Sequence, residues 1–124
     1  MELSLAMRVW GDYVVVGVDG EVDIATSDQL GSYLSAARQC EKRGTIVDLS
    51  QVAFMDCSGL RALTSAQRDA VMHGGELRLA APQPSVAKVL ALSGVYRLMP
   101  PFPTVEIAAE APSSVTIVTD TIVS

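Results

Sequence analysis

The stretch that decides the fold runs from residue 45 to residue 75, TIVDLSQVAFMD followed by CSGLRALTSAQRDAVMHGG. The first half is a nearly continuous apolar run broken by Asp48, which reads as a strand. The second half turns to helical spacing, with Leu60, Leu63, Ala66 and Ala70 on one stripe and Gly74 and Gly75 as the stop. Strand passes to helix within FMDCSGL, residues 54–60. An acid, a thiol and a hydroxyl, each able to carry chemistry, stand there side by side before a glycine.

The flanks extend the same alternation. SLAMRVWGDYVVVGVDGEVD, residues 4–23, predicts two strands around a Gly11-Asp12 turn, and Val14, Val15 and Val16 suggest that the second is covered on both faces. IATSDQLGSYLSAARQCEKRG, residues 24–44, predicts a helix with Leu30, Tyr33, Leu34, Ala37 and Cys40 on its inner stripe. Thr26 and Gln29 have capping-box spacing, Asp28 suits the helix start, Lys42 and Arg43 suit its end, and Gly44 is its expected stop. ELRLAA, residues 76–81, alternates as a half-buried strand does, with Leu77 and Leu79 on one face. A short helix follows over SVAKVLALSG, with Val86, Val89 and Leu90 inward, then a brief strand in VYRLMPPFP and a last helical turn or two in TVEIAAEA. The Ser/Thr/Val-rich end, PSSVTIVTDTIVS, reads either as a frayed tail or as an added edge strand. The order β-β-α-β-α-β-α, then a short α, predicts an α/β domain with helices packed on a sheet.

The chain has 124 residues, enough for one domain with one core, and about half of them are apolar. A net charge of −5 is a poor match for nucleic acid or anionic lipid. YVVVGV is too short to span a bilayer, and the N-terminus lacks the pattern of a signal peptide, so a cytoplasmic protein is expected. Cys40, Cys57 and the single His73 do not have the spacing of a zinc site or a disulfide framework.

Each reactive group in FMDCSGL has a plain structural reading. A nucleophile elbow needs glycine two residues on either side of the serine, but Asp56 and Leu60 flank Ser58 there. His73 lies fifteen residues further along the same helix, roughly 22 Å away. Cys57 has no resolving cysteine or basic partner nearby in sequence, and it reads as a small side chain at a tight turn. Asp56 lacks the acidic pair and the later lysine that a phosphoaspartate site needs, and it reads as the N-cap of the helix. Ser58 in the first helical turn is either a second capping hydroxyl or a phosphoacceptor. A phosphate there would add about −1.5 to −2 charges, favoured by the helix end and opposed by Asp56. Gly17, Gly20 and Gly31 form no phosphate cradle, and neither a general base nor a metal cluster is visible, so a binding protein without cofactor is expected rather than an enzyme.

Three segments in order resemble the anti-sigma factor antagonists, small bacterial STAS-domain proteins: GEVDIATSDQL at 20–30, IVDLSQVAFMDCSGLRAL at 46–63 and LSGVYRLMPPFPTVEIAAEA at 92–111. The resemblance implies a single STAS-like α/β domain over residues 1–110, with a mixed sheet of about four to five strands and helices against it, and a tail over 111–124. It implies a protein that binds an anti-sigma factor with serine kinase activity, thereby freeing a sigma factor for RNA polymerase. Phosphorylation at Ser58 would release it, and a PP2C-type phosphatase would reset it. The implied partner surface comprises Asp23, Thr26, Asp56, Cys57, Ser58, Gly59, Leu60 and Arg61, with Gly59 leaving room for the kinase to approach. The chain itself would be a monomer or weak dimer. Cys57 departs from the family pattern, which usually has Ser or Thr there, and leaves Ser58 as the only hydroxyl of the loop. Two other readings stand beside this one: a constitutive STAS scaffold subunit of a transporter or stress-signalling complex, and a thiol-dependent enzyme using Cys57.

Overall fold

The computed structural model describes residues 3–112. The predicted tail therefore lies almost wholly outside the described residues. The elements are β1 (Ser4–Trp10), β2 (Tyr13–Val22), α1 (Ser27–Arg38), β3 (Gly44–Met55), α2 (Cys57–Met72), β4 (Glu76–Ala80), α3 (Pro84–Ser93), α4 (Val95–Leu98) and α5 (Val105–Glu110). They form a four-stranded mixed sheet in the order β1-β2-β3-β4. Only the β1–β2 pair is antiparallel; β2–β3 and β3–β4 are parallel. None of the described helices is long and apolar enough to cross a membrane.

The central strands are buried on both faces, as the valine run predicts: Val14, Val15 and Val16 are all 1% exposed or less. Side chains alternate along β2, so the two faces meet different helices. Val14, Val16 and Val18 join one core with Leu30 and Leu34 of α1, Leu60 and Leu63 of α2, Leu90 of α3 and Val95 of α4. Tyr13 and Val15 join a second, smaller core with Ile46, Ala80 and the α5 residues Val105 and Ala108. The stripes predicted for α1 and α2 are therefore the observed inner faces, with the exception of Cys40.

Four local expectations are corrected. Helix α1 ends at Arg38, and Glu41 takes the left-handed conformation (φ 58°) that turns the chain. Cys40 consequently falls beyond the last helical turn and is exposed, and Arg38 is the basic residue of that turn. Gly44 starts β3 instead of stopping α1. A Cβ there would lie 2.7 Å from the Glu76 carbonyl oxygen and 3.1 Å from the Tyr13 ring. The Thr26–Gln29 capping box does not form. The Thr26 hydroxyl donates to the Glu21 carbonyl (2.8 Å) and accepts from the Asp23 N–H (3.0 Å), while Gln29 donates from Nε2 to the Leu3 carbonyl (3.0 Å). VYRLMPPFP contains the helical turn α4 and only a single β-bridge, between Phe102 and Ala80. Prolines at 100, 101 and 103 have no N–H, so Phe102 alone can pair on both sides. Its N–H donates to the Leu79 carbonyl (2.9 Å) and its carbonyl accepts from Ala81 (2.8 Å).

β4 is buried on both faces, against the half-buried expectation, because α5 covers the face that carries Arg78. Arg78 is 6% exposed. Its Nε donates to Glu76 Oε1 (2.8 Å), Nη1 to the Ala108 and Ala111 carbonyls, and Nη2 to the Pro112 carbonyl (3.1 Å). The guanidinium thus satisfies carbonyls at the C-terminal end of α5, where a cation is favoured. It also lies over the rings of Tyr13 (5.2 Å) and Phe102 (5.6 Å). Burial, with the Glu76 carboxylate adding to it, raises the Tyr13 hydroxyl above the usual phenol pKa.

Arg78→Met keeps the apolar stem and removes every donor. It is expected to cost about 3 kcal/mol in urea unfolding, since several charge-assisted hydrogen bonds to buried carbonyls are lost together. Arg78→Lys should recover only a minor part, because a single ammonium cannot span carbonyls that the planar fork reaches at once.

Candidate functional site

β2 and β3 run parallel, with Glu21 opposite Phe54 and Val22 opposite Met55. Both strands therefore end at the same rim of the sheet. The Asp56 N–H donates to the Val22 carbonyl (3.1 Å) and tethers the β3–α2 junction to the start of the β2–α1 loop. Asp56 is extended (φ −109°, ψ −168°) and is the N-cap of α2, as its place in the sequence predicts. Its Oδ1 accepts from the Ser58 N–H at 2.8 Å and from the Gly59 N–H at 3.4 Å.

This cap orients the next three side chains differently. Cys57 is exposed. Ser58 is half-buried, and among the described residues its hydroxyl makes no hydrogen bond, its N–H alone being engaged by Asp56. Gly59 and Leu60 face inward. A Cβ on Gly59 would lie 2.6 Å from Met55 Cγ and 2.8 Å from Val22 Cγ1. The glycine is therefore needed for close packing of α2 on β2 and β3. Arg61, one turn beyond Ser58, is exposed.

The β2–α1 loop is held by its own polar groups. Asp23 Oδ1 accepts from the Ala25 N–H (2.9 Å) and the Thr26 N–H (3.2 Å), and the Asp23 carbonyl accepts from Ser27 N–H (2.8 Å). Thr26 is only 4% exposed, with its hydroxyl engaged inside the loop. Asp23 and Thr26 thus shape the loop and present Ile24, which is 83% exposed. Phe54, at the end of β3, is 49% exposed. Sequence reasoning singled out neither Ile24 nor Phe54 as a contact residue. For Ile24 the available signal was a large apolar residue between Asp23 and Thr26, off the stripe of the helix that follows.

A groove of about 920 Å³ runs between α1 and α2 from this rim, lined at one end by Ile24, Ser58 and Arg61. At its other end Arg38 Nε meets Asp69 Oδ2 at 2.6 Å and bridges the two helices. His73 also belongs to that end of α2, with Nδ1 2.8 Å from the Asp69 carbonyl oxygen. It stands sixteen positions from Cys57, about 24 Å along the helix, so imidazole and thiol are not brought together.

Two substitutions test this junction by urea unfolding. Asp56→Ala should cost about 1 kcal/mol through loss of the cap, with Asp56→Asn retaining most of it. Gly59→Ala should cost about 1–3 kcal/mol, because the added methyl forces Met55 or Val22 aside in a filled core.

Residues 4–108 match the family model of the STAS domain. The anti-sigma F factor antagonist of Paenibacillus polymyxa is 31% identical over 103 residues, covering 81% of this chain and 86% of that protein. The solved anti-sigma factor antagonist from Mycobacterium paratuberculosis superposes with a TM-score of 0.79 at 24% identity, covering 87% of this chain and 92% of that one. The Bacillus cell fate determinant SpoIIAA, solved in its phosphorylated form, superposes with a TM-score of 0.65 at 27% identity, covering 86% and 97% of the two chains. The chain belongs to the STAS domain family, the family of the anti-sigma factor antagonists that it matches.

Proposed function

We propose that this protein is an anti-sigma factor antagonist whose partner docks on the rim carrying Ser58, and that phosphorylation of Ser58 dissociates the pair. The observation that carries this reading is the Ser58 hydroxyl. It is partly exposed at the groove, is not held by another described group, and sits beside an N-cap that keeps its backbone in place. Ile24 and Arg61 line the same end of the groove as Ser58, which supplies the mixture of apolar and cationic contacts that binding centres favour.

The partner is an anti-sigma factor that is also a serine kinase. It transfers the terminal phosphoryl group of ATP to Ser58 Oγ, with the hydroxyl proton passing to a base of the kinase and ADP leaving. The new dianion is drawn to the positive end of the α2 dipole and repelled by Asp56, so the fold itself changes little. Against a docked surface the same charge would be desolvated, and the complex separates. A PP2C-type phosphatase restores the hydroxyl. The existence of a phosphorylated form of SpoIIAA supports this chemistry on this fold. In this reading Asp56, Gly59 and Leu60 build the platform, while Cys57, Ser58 and Arg61 belong to its outer surface and Asp23 and Thr26 set the loop that presents Ile24.

Incubation with the anti-sigma factor and ATP, followed by mass spectrometry, should place one phosphate on Ser58. Ser58→Ala should bind without becoming labelled, and Ser58→Glu should bind at least tenfold more weakly by calorimetry. Label persisting in Ser58→Ala would overturn the assignment. Separately, Ile24→Asp should weaken binding about tenfold or more while leaving the melting curve unchanged, as expected of an exposed apolar anchor at a binding centre.

A further inference from the structure

The β1 edge of the sheet carries a second surface, and the geometry points to a second copy of this chain as its occupant. Trp10 and Tyr13 pair across the two-residue turn Gly11-Asp12, with Gly11 at φ +59°. That turn makes Trp10–Tyr13 a hydrogen-bonded pair, so Ser4, Ala6, Arg8 and Trp10 direct their backbone groups at β2. Leu5, Met7 and Val9 direct theirs outward. At the opposite edge Phe102 bonds to Leu79 and Ala81, whereas β1 has no strand on its outer side among the described residues. It also lacks the proline, lysine or bulge that usually blunts an edge.

The edge is complementary to itself. Antiparallel pairing of two copies about Met7 sets Met7 against Met7 and Leu5 against Val9, so that all three outward residues of each strand exchange hydrogen bonds. On the face that carries α1 and α2 this buries Met7 and Val9, now 36% and 63% exposed. On the other face Arg8 and Trp10 of one copy come opposite Ala6 and Ser4 of the next. There the sheet has a hollow of about 280 Å³ lined by Ser4, Ala6, Gly17, Asp19, Asp48 and Ser50. Arg8 lies over its own Trp10 at 5.4 Å and so leans towards its hairpin, away from its own hollow. In the paired arrangement the same lean carries it across the small side chains of the second copy towards Asp19. The strand itself contains no carboxylate, so the pairing sets no two carboxylates of β1 against each other. A contact of one strand per copy is small, and association is expected at about 0.05–1 mM.

Analytical ultracentrifugation over that range should show a monomer–dimer equilibrium. Amide exchange of Leu5, Met7 and Val9 should slow as concentration rises, while Ala6, Arg8 and Trp10 stay protected throughout. Arg8→Glu and Asp19→Arg, each folded by circular dichroism, should each weaken self-association about tenfold or more. An equimolar mixture of the two should restore it, because the introduced carboxylate of one variant then meets the introduced guanidinium of the other, and the remaining Arg8 meets the remaining Asp19. A wild-type monomer at 1 mM would overturn the proposal. So would a dimer indifferent to both variants, or protection of Leu5, Met7 and Val9 that does not change on dilution, which would mean that the edge is filled from within one chain.

Discussion

Helix α2 begins one residue after β3 ends, and the outward presentation of Ser58 depends on that abrupt change. An extended Asp56 makes it possible. Its N–H is held by Val22, and its carboxylate satisfies N–H groups that a helix start leaves without partners. The close seat of Gly59 on Met55 and Val22 then fixes how α2 is rotated. With Gly59 and Leu60 inward, Ser58 has only the outer side of the first turn left to it.

The same parallel pairing that buries β2 and β3 brings two loops to one rim. Neither loop would be a surface alone. The β2–α1 loop is consumed by its own hydrogen bonds through Asp23 and Thr26, and what remains for contact is the apolar tip Ile24. The β3–α2 junction supplies the hydroxyl and Phe54. A rim of this kind suits a switch, since one modified atom stands among apolar contacts that a charge would disturb. The β1 edge is a different kind of surface, built from backbone groups and a hollow on the opposite face.

Much of this was legible in the residues. The stripes Leu30–Leu34–Ala37 and Leu60–Leu63–Ala70 reported the inner faces of α1 and α2, because burial of one helical face imposes its own period. Asp56 was legible as a cap because the carboxylate acts on neighbours two and three residues away. The failures share a cause. Gln29 has capping spacing from Thr26, but its side chain found Leu3, a partner set by the tertiary fold. Arg78 looked like the solvent side of a half-buried strand, and only the return of α5 over that face makes it an interior group. Gly59 was noticed, but its reason was not, since Met55 and Val22 press on it from strands that no local pattern relates.

The sequence by itself determined the alternation of strands and helices, the inner faces of the long helices, the cap at Asp56 and the place of Ser58 in the first turn of α2. Those depend on interactions among residues a few positions apart, which periodicity and turn chemistry record. Only the tertiary structure decided that Ile24 shares a rim with Ser58, that Arg78 locks α5 from the interior, and that, among the described residues, β1 is an edge strand beside an acidic hollow. Those depend on which strands are neighbours and in what register, and pairing between distant segments leaves no period in the chain.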